Sequence, residues 1–232
     1  MLKIVTLLTF ILLLIAVVPS YSEELRPLDV SGTVTFKSWF STFALPVGNE
    51  TVSETTMLGG PEIEMQINNG FINIQYLLGG KEYEFESGLD STEFKRTEFD
   101  LTAGLYATED VALFTGWKLM KMETDDFTSG TKTGSGEILM RGAKVGARGK
   151  KSLGEESPFH VYGLFEFVWA KIERSNVNTE SINGTTAIGG FQYTSEQDLF
   201  VQLGYRYQSW RDDAGEEWQF YGPTFNLGFA IK

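Results

Sequence analysis

The chain is written in two-residue steps. In RTEFDLTAGLYA, Phe99, Leu101, Ala103 and Leu105 fall on one side, while Arg96, Glu98, Asp100, Thr102 and Gly104 fall on the other. In LFVQLGYRYQ, Leu199, Val201, Leu203, Tyr205 and Tyr207 alternate with Gln202, Gly204, Arg206 and Gln208. In PEIEMQINN, Ile63, Met65 and Ile67 alternate with Glu62, Glu64 and Gln66. A period of two is the mark of a strand with unlike faces. Such runs predict strands near 29–44, 59–69, 71–86, 93–106, 111–122, 137–148, 158–172, 184–193, 199–212 and 217–231. No segment after residue 22 carries a helical period or an apolar run long enough for a membrane-spanning helix.

The connections alternate too. Asn69-Gly70, 107–110 and 194–198 are short, whereas 45–58, 87–92, 123–136 and 173–183 are longer and polar; 149–157 and 213–216 depart from the pattern. Short turns at one end and longer loops at the other are how an up-and-down barrel separates its two sides in a membrane. The pattern predicts an all-β, antiparallel up-and-down transmembrane barrel of ten strands, with eight or twelve as neighbouring solutions. Five tryptophans, Trp39, Trp117, Trp169, Trp210 and Trp218, lie near the strand ends that meet the longer loops, as an interfacial aromatic belt requires.

The first residues decide the compartment. Lys3, an apolar run over 4–18 and the small-residue exit Pro19-Ser20-Tyr21-Ser22 read as a signal peptide, residues 1–22, with a barrel domain over 23–232. The run is shorter than the roughly 20 residues of a spanning helix. Cysteine is absent, so an exported chain of this kind relies on a large closed structure rather than on disulfides. A formal charge of −12 argues against nucleic acid, whose phosphates demand a basic face.

The last segment, FYGPTFNLGFAIK, alternates to the end. With its glycine and spaced apolar residues the chain resembles the bacterial outer-membrane β-barrel families, with the small OmpX-like and OmpW-like proteins as the nearest types. Gly222, Phe225 and Leu227 match the spacing of their C-terminal assembly signal, although Phe229 is followed here by Ala230, Ile231 and Lys232. The resemblance implies a cell-envelope location in the outer membrane of a Gram-negative bacterium. It also implies membrane lipid, lipopolysaccharide and the outer-membrane assembly machinery as partners.

On this reading the polar face lines a lumen holding Lys37, Glu62, Glu64, Arg96, Glu98, Asp100, Glu166 and Arg206. A barrel of eight to ten strands is too narrow for an open channel, so these charges meet and pair across it. Mixed sign favours a polar plug over a selective pore. Catalytic chemistry is sparse. The single histidine, His160, sits at the turn end, no thiol exists, and no G-x-S-x-G elbow occurs. DDFTSGTKTGSGE lacks the oxygen ligands of a calcium loop at its third and twelfth positions, Phe127 and Gly136. The sequons at Asn49 and Asn183 are incidental in a bacterial protein. The expectation is therefore a non-enzymatic barrel without metal or cofactor and with a mostly occluded lumen, serving a structural, adhesive or narrow-pore role. A periplasmic soluble ligand-binding barrel and an outer-membrane barrel hydrolase are the rivals.

Overall fold

The computed structural model describes residues 29–47, 50–80, 82–87, 90–174, 179–213, 215 and 217–231. The expected signal peptide and the Asn49 sequon lie outside them. Eleven strands follow one another: β1 (Val30–Val47), β2 (Glu50–Ile67), β3 (Gly70–Gly79), β4 (Tyr83–Ser87), β5 (Asp90–Tyr106), β6 (Val111–Thr128), β7 (Thr131–Ser152), β8 (Phe159–Arg174), β9 (Glu180–Thr194), β10 (Leu199–Asp212) and β11 (Glu217–Ile231). Chain neighbours other than β3 and β4 pair antiparallel, β1 pairs with β11, and a β3–β5 ladder shuts the sheet into a barrel. A closed sheet has no free edges to satisfy, the condition for crossing lipid with strands.

β3 and β4 together make one stave. Both lie along β5, with Leu78 facing Thr97 and Tyr83 facing Phe94. Five steps on the outer chain span three on β5, so an irregularity at Gly79, Gly80 and Glu82 breaks the stave in two. The barrel thus has the ten staves expected, one of them interrupted.

The expected long loops are mostly strand. Residues 123–128 and 131–136 continue β6 and β7 into a tall hairpin whose turn, Ser129-Gly130, has positive φ at both residues (51° and 75°). That is the backbone a two-residue turn needs to match strand twist. Likewise 45–47 and 50–58 belong to β1 and β2, and 90–92 to β5. Polarity on the outer face had marked these stretches as loops, but their backbones keep pairing.

Candidate functional site

The interior is built in two layers of opposite character. Toward the turn end, which carries Asn69, Asp110 and Asp198, the inward residues are polar and charged. Toward the hairpin end they are apolar: Trp39, Phe43, Leu58, Leu77, Tyr83, Met120, Met122, Met140, Val168, Ile172, Ile182, Trp210 and Phe220 form one buried cluster. The outer face inverts this order. Along β6, Val111, Leu113, Trp117 and Leu119 point out below Lys121 and Glu123, while Lys118 points in below Met120 and Met122. Along β8, outward Phe165, Phe167 and Trp169 give way to Lys171 and Glu173, while inward Glu166 gives way to Val168, Ala170 and Ile172. One half of each strand is apolar outside and polar inside, as lipid requires. The other half is polar outside and apolar inside, as water requires.

All eight residues expected in the lumen point into it. Arg96 donates through Nη2 to Glu98 and Gln208, and Arg206 donates to the other oxygen of Glu98 at 2.7 Å. Asp100 and Glu166 are bridged by Lys118 and Lys144: Lys118–Asp100 is 3.5 Å, Lys144–Glu166 is 3.1 Å, and Lys118–Glu166 and Lys144–Asp100 close the ring. Lower down, Arg148 grips Glu64 through two bonds of 2.5 and 2.7 Å and stacks 3.7 Å from the Phe71 ring. Lys37 pairs with Glu62 and donates to Gln75 at 2.9 Å.

The lumen set read from sequence lacked Lys118, Lys144 and Arg148, and it left out Gln208 although that residue had been placed on the polar face. Each sits at an inward position of a strand already recognised, so strict parity counting from Met120, Val145 or Tyr207 would have found them.

Below the charged layer lies a cavity of about 900 Å³ lined by polar groups that include Glu64, Asn73, Gln192, Gln202 and Asn226. An amide ladder crosses its wall, Asn226 donating to Gln202 and Gln202 to Gln192, both at 2.9 Å. His160 lines this cavity at the turn end. The apolar cluster stands above, its largest side chains less than 2 % exposed.

The tryptophan belt needs correcting. Trp117 and Trp169 point outward, Trp169 half exposed beside the Phe167 ring at 4.7 Å. Trp39 and Trp210 are only 1 % exposed and belong to the interior cluster, against which Trp218 packs beneath Arg174. Their depth along the strands had suggested an interface, but the alternation of side chains decides which face a residue occupies. The outer girdle is completed instead by residues such as Tyr76, Tyr205 and Phe40, all well exposed.

The expected assembly-signal residues divide. Phe225 and Leu227 are exposed on the outer face. Gly222 faces in with φ +152°, and a Cβ there would come within 1.8 Å of the Phe40 carbonyl oxygen.

No protein-family model matches the sequence, and no curated protein does. Solved structures do match in fold. The outer membrane protease OmpT of Escherichia coli superposes with a TM-score of 0.56 at 10 % identity, over 90 % of this chain and 99 % of that one. The translocator domain of the autotransporter NalP from Neisseria meningitidis gives 0.49 at 9 % identity, covering 89 % and 90 %. Ail of Yersinia pestis gives 0.43 at 10 %, covering 88 % and 99 %. The chain has the fold of an outer-membrane β-barrel.

Proposed function

We propose that this chain is a small, non-conducting, non-enzymatic integral protein of the Gram-negative outer membrane, with a structural or adhesive role at the cell surface. The observation that carries the reading is the apolar cluster that fills the hairpin half of the lumen. A pore must keep a continuous wet path, and here the 900 Å³ cavity ends at the paired charges of Asp100, Lys118, Lys144, Glu166 and Arg206, with the apolar cluster beyond them. The outward band supports a lipid setting: Phe36, Ile63, Leu113, Phe165, Phe191 and Leu203 are each more than half exposed. A soluble barrel would leave this continuous apolar surface facing water.

The hairpins, with Lys132, Glu137 and Arg141 among their polar outer residues, face the outside in this arrangement, and the tight turns face the periplasm. Recording from purified protein in planar lipid bilayers is the test. The expected result is no stable conductance, and large stable openings from the wild-type protein would overturn the proposal.

A further inference from the structure

The cavity below the charged layer has one wall built mainly from uncharged groups. Across it His160, Gln192, Gln202, Asn226 and Lys37 stand directly opposite one another on five neighbouring strands, β8, β9, β10, β11 and β1. The three amides in the middle of this row all line the cavity. They are linked in one direction, Asn226 donating to Gln202, Gln202 to Gln192 and Gln192 to the Thr194 hydroxyl, at 2.9, 2.9 and 2.8 Å. A side-chain amide carries two N–H donors and two lone pairs. One link in and one link out therefore leave Gln192 and Gln202 a donor and an acceptor each. Neighbouring strands set these two amides about 4.8 Å apart.

The next row toward the hairpin end is Tyr162, Gly190, Gly204 and Thr224. Its two glycines clear the wall for the tyrosine. A Cβ on Gly190 would meet the Tyr162 Oη at 2.9 Å, and one on Gly204 would meet it at 2.4 Å. Tyr162 thus lies across β9 and β10, half-buried, with one side on the glycines and the other toward the cavity. One row higher Leu164 faces Ile188, and both line the same space. Four residues separate Gln192 from Ile188, about 13 Å along the strand and room for roughly two sugar-sized rings.

The charges around the cavity are engaged with one another. Lys37 pairs with Glu62, Arg148 with Glu64, Arg206 with Glu98, and Lys118 and Lys144 with Glu166 and Asp100. An ion that captured one partner would strand the other. Lys150, Glu109 and Asp110 stand at the turn-end rim, exposed to water. What the wall offers a ligand is neutral: donor-and-acceptor groups beside an aromatic ring and two aliphatic side chains. A pyranose has both characters, hydroxyls at its edge that donate and accept, and a face of C–H groups. Its equatorial hydroxyls in 1,3 relation have nearly the spacing of the two amides. A peptide instead separates donors from acceptors along its backbone. The 900 Å³ volume is that of a ligand pocket rather than of a few bridging waters.

We propose that this cavity binds the end of a neutral oligosaccharide, which enters at the turn end. Gln192 and Gln202 hydrogen-bond its hydroxyls, the Tyr162 ring packs on one sugar face, and Leu164 and Ile188 cover the innermost C–H groups. Only the compartment of that ligand, the periplasm, rests on the orientation proposed above.

The test uses the full chain refolded in a polyoxyethylene detergent, which carries no sugar headgroup. Cellotriose, whose ring hydroxyls are all equatorial, is titrated by calorimetry, and unfolding is followed by heat-modifiable gel migration. Cellotriose is expected to bind saturably, with a Kd of about 1 mM or tighter, and to raise the unfolding temperature. Added salt should leave the affinity unchanged, since no charge is matched. Gln202→Leu should weaken binding roughly ten-fold, the scale of one or two neutral hydrogen bonds. Gln192→Leu should do the same and serves if Gln202→Leu does not refold. Tyr162→Phe keeps the ring and should bind like the wild type, whereas Tyr162→Leu should bind markedly more weakly. Neither heat nor a rise in unfolding temperature with cellotriose would overturn the proposal. So would an affinity unchanged in both amide variants and in Tyr162→Leu, an affinity that falls with salt, or tighter binding of the uncharged peptide N-acetyl-trialanine amide. Bilayer conductance is not part of this readout, so the site and the non-conducting reading stand or fall separately.

Discussion

Lys118 and Lys121 stand three residues apart on β6 and face opposite surroundings. Lys118 turns inward, 3 % exposed, between Asp100 and Glu166. Lys121 turns outward and bridges Glu123 and Glu137 at 2.9 Å each. Lys118→Ala should cost about 3–5 kcal/mol, because it leaves buried carboxylates with only Lys144. Lys121→Ala should change stability little, since its exposed pairs are screened by water. Urea titration of both variants refolded into lipid vesicles checks the contrast, and equal effects would contradict the face assignment.

Phe165 and Glu166 make a second neighbouring pair. Phe165 is 56 % exposed on the outer band, and Glu166 is buried against two lysines. Phe165→Arg should cost about 2–4 kcal/mol if it lies near the bilayer midplane. Glu166→Gln should be comparably damaging at about 3–5 kcal/mol, because it strands Lys118 and Lys144 on Asp100 alone. Adding Lys144→Met to Glu166→Gln should recover much of the loss, measured by the same titration. A Glu166→Gln barrel as stable as wild type would show that the carboxylate is not needed there.

At Gly222 the backbone leaves no room for a side chain. Gly222→Ala forces a positive φ on an L-residue, a strain of about 1–3 kcal/mol, and drives Cβ into the Phe40 carbonyl. The folded fraction on a heat-modifiable gel should fall sharply. Phe225→Leu, an outward change within the same segment, should leave that fraction nearly intact.

The β10–β11 hairpin should loosen in acid. Arg211, with Ser209 and Gln219, hydrogen-bonds the Glu217 carboxylate and holds its pKa below the ordinary 4.5. A depressed carboxylate pKa contributes stability above the unfolded value and loses it as pH falls through the folded value. Protection of the Arg211 and Trp218 amides against hydrogen exchange, taken relative to the intrinsic rate at each pH, should therefore fall below about pH 4.5. Arg211→Gln should flatten that pH dependence, and an unchanged profile would count against the pairing.

Period-two alternation in sequence was enough to place ten staves, to turn Arg96, Glu98, Asp100 and Arg206 to one side, and to turn Phe99, Leu203 and Phe165 to the other, because a strand assigns faces by parity alone. Parity does not say what each face meets. The sequence reading treated the whole inner face as one polar lumen and every tryptophan as interfacial. Only the closed barrel brings Trp39, Met120, Trp210 and Phe220 from four separate strands into one cluster, and only its cross-lumen distances give Lys118 and Lys144 to Glu166. Those contacts join residues tens of positions apart. They depend on stagger and curvature, which no local pattern carries. The inversion halfway along each strand, apolar outside below and apolar inside above, is written in the order of the residues, but its meaning appears only when all the staves change at a common level and one barrel passes from lipid into water.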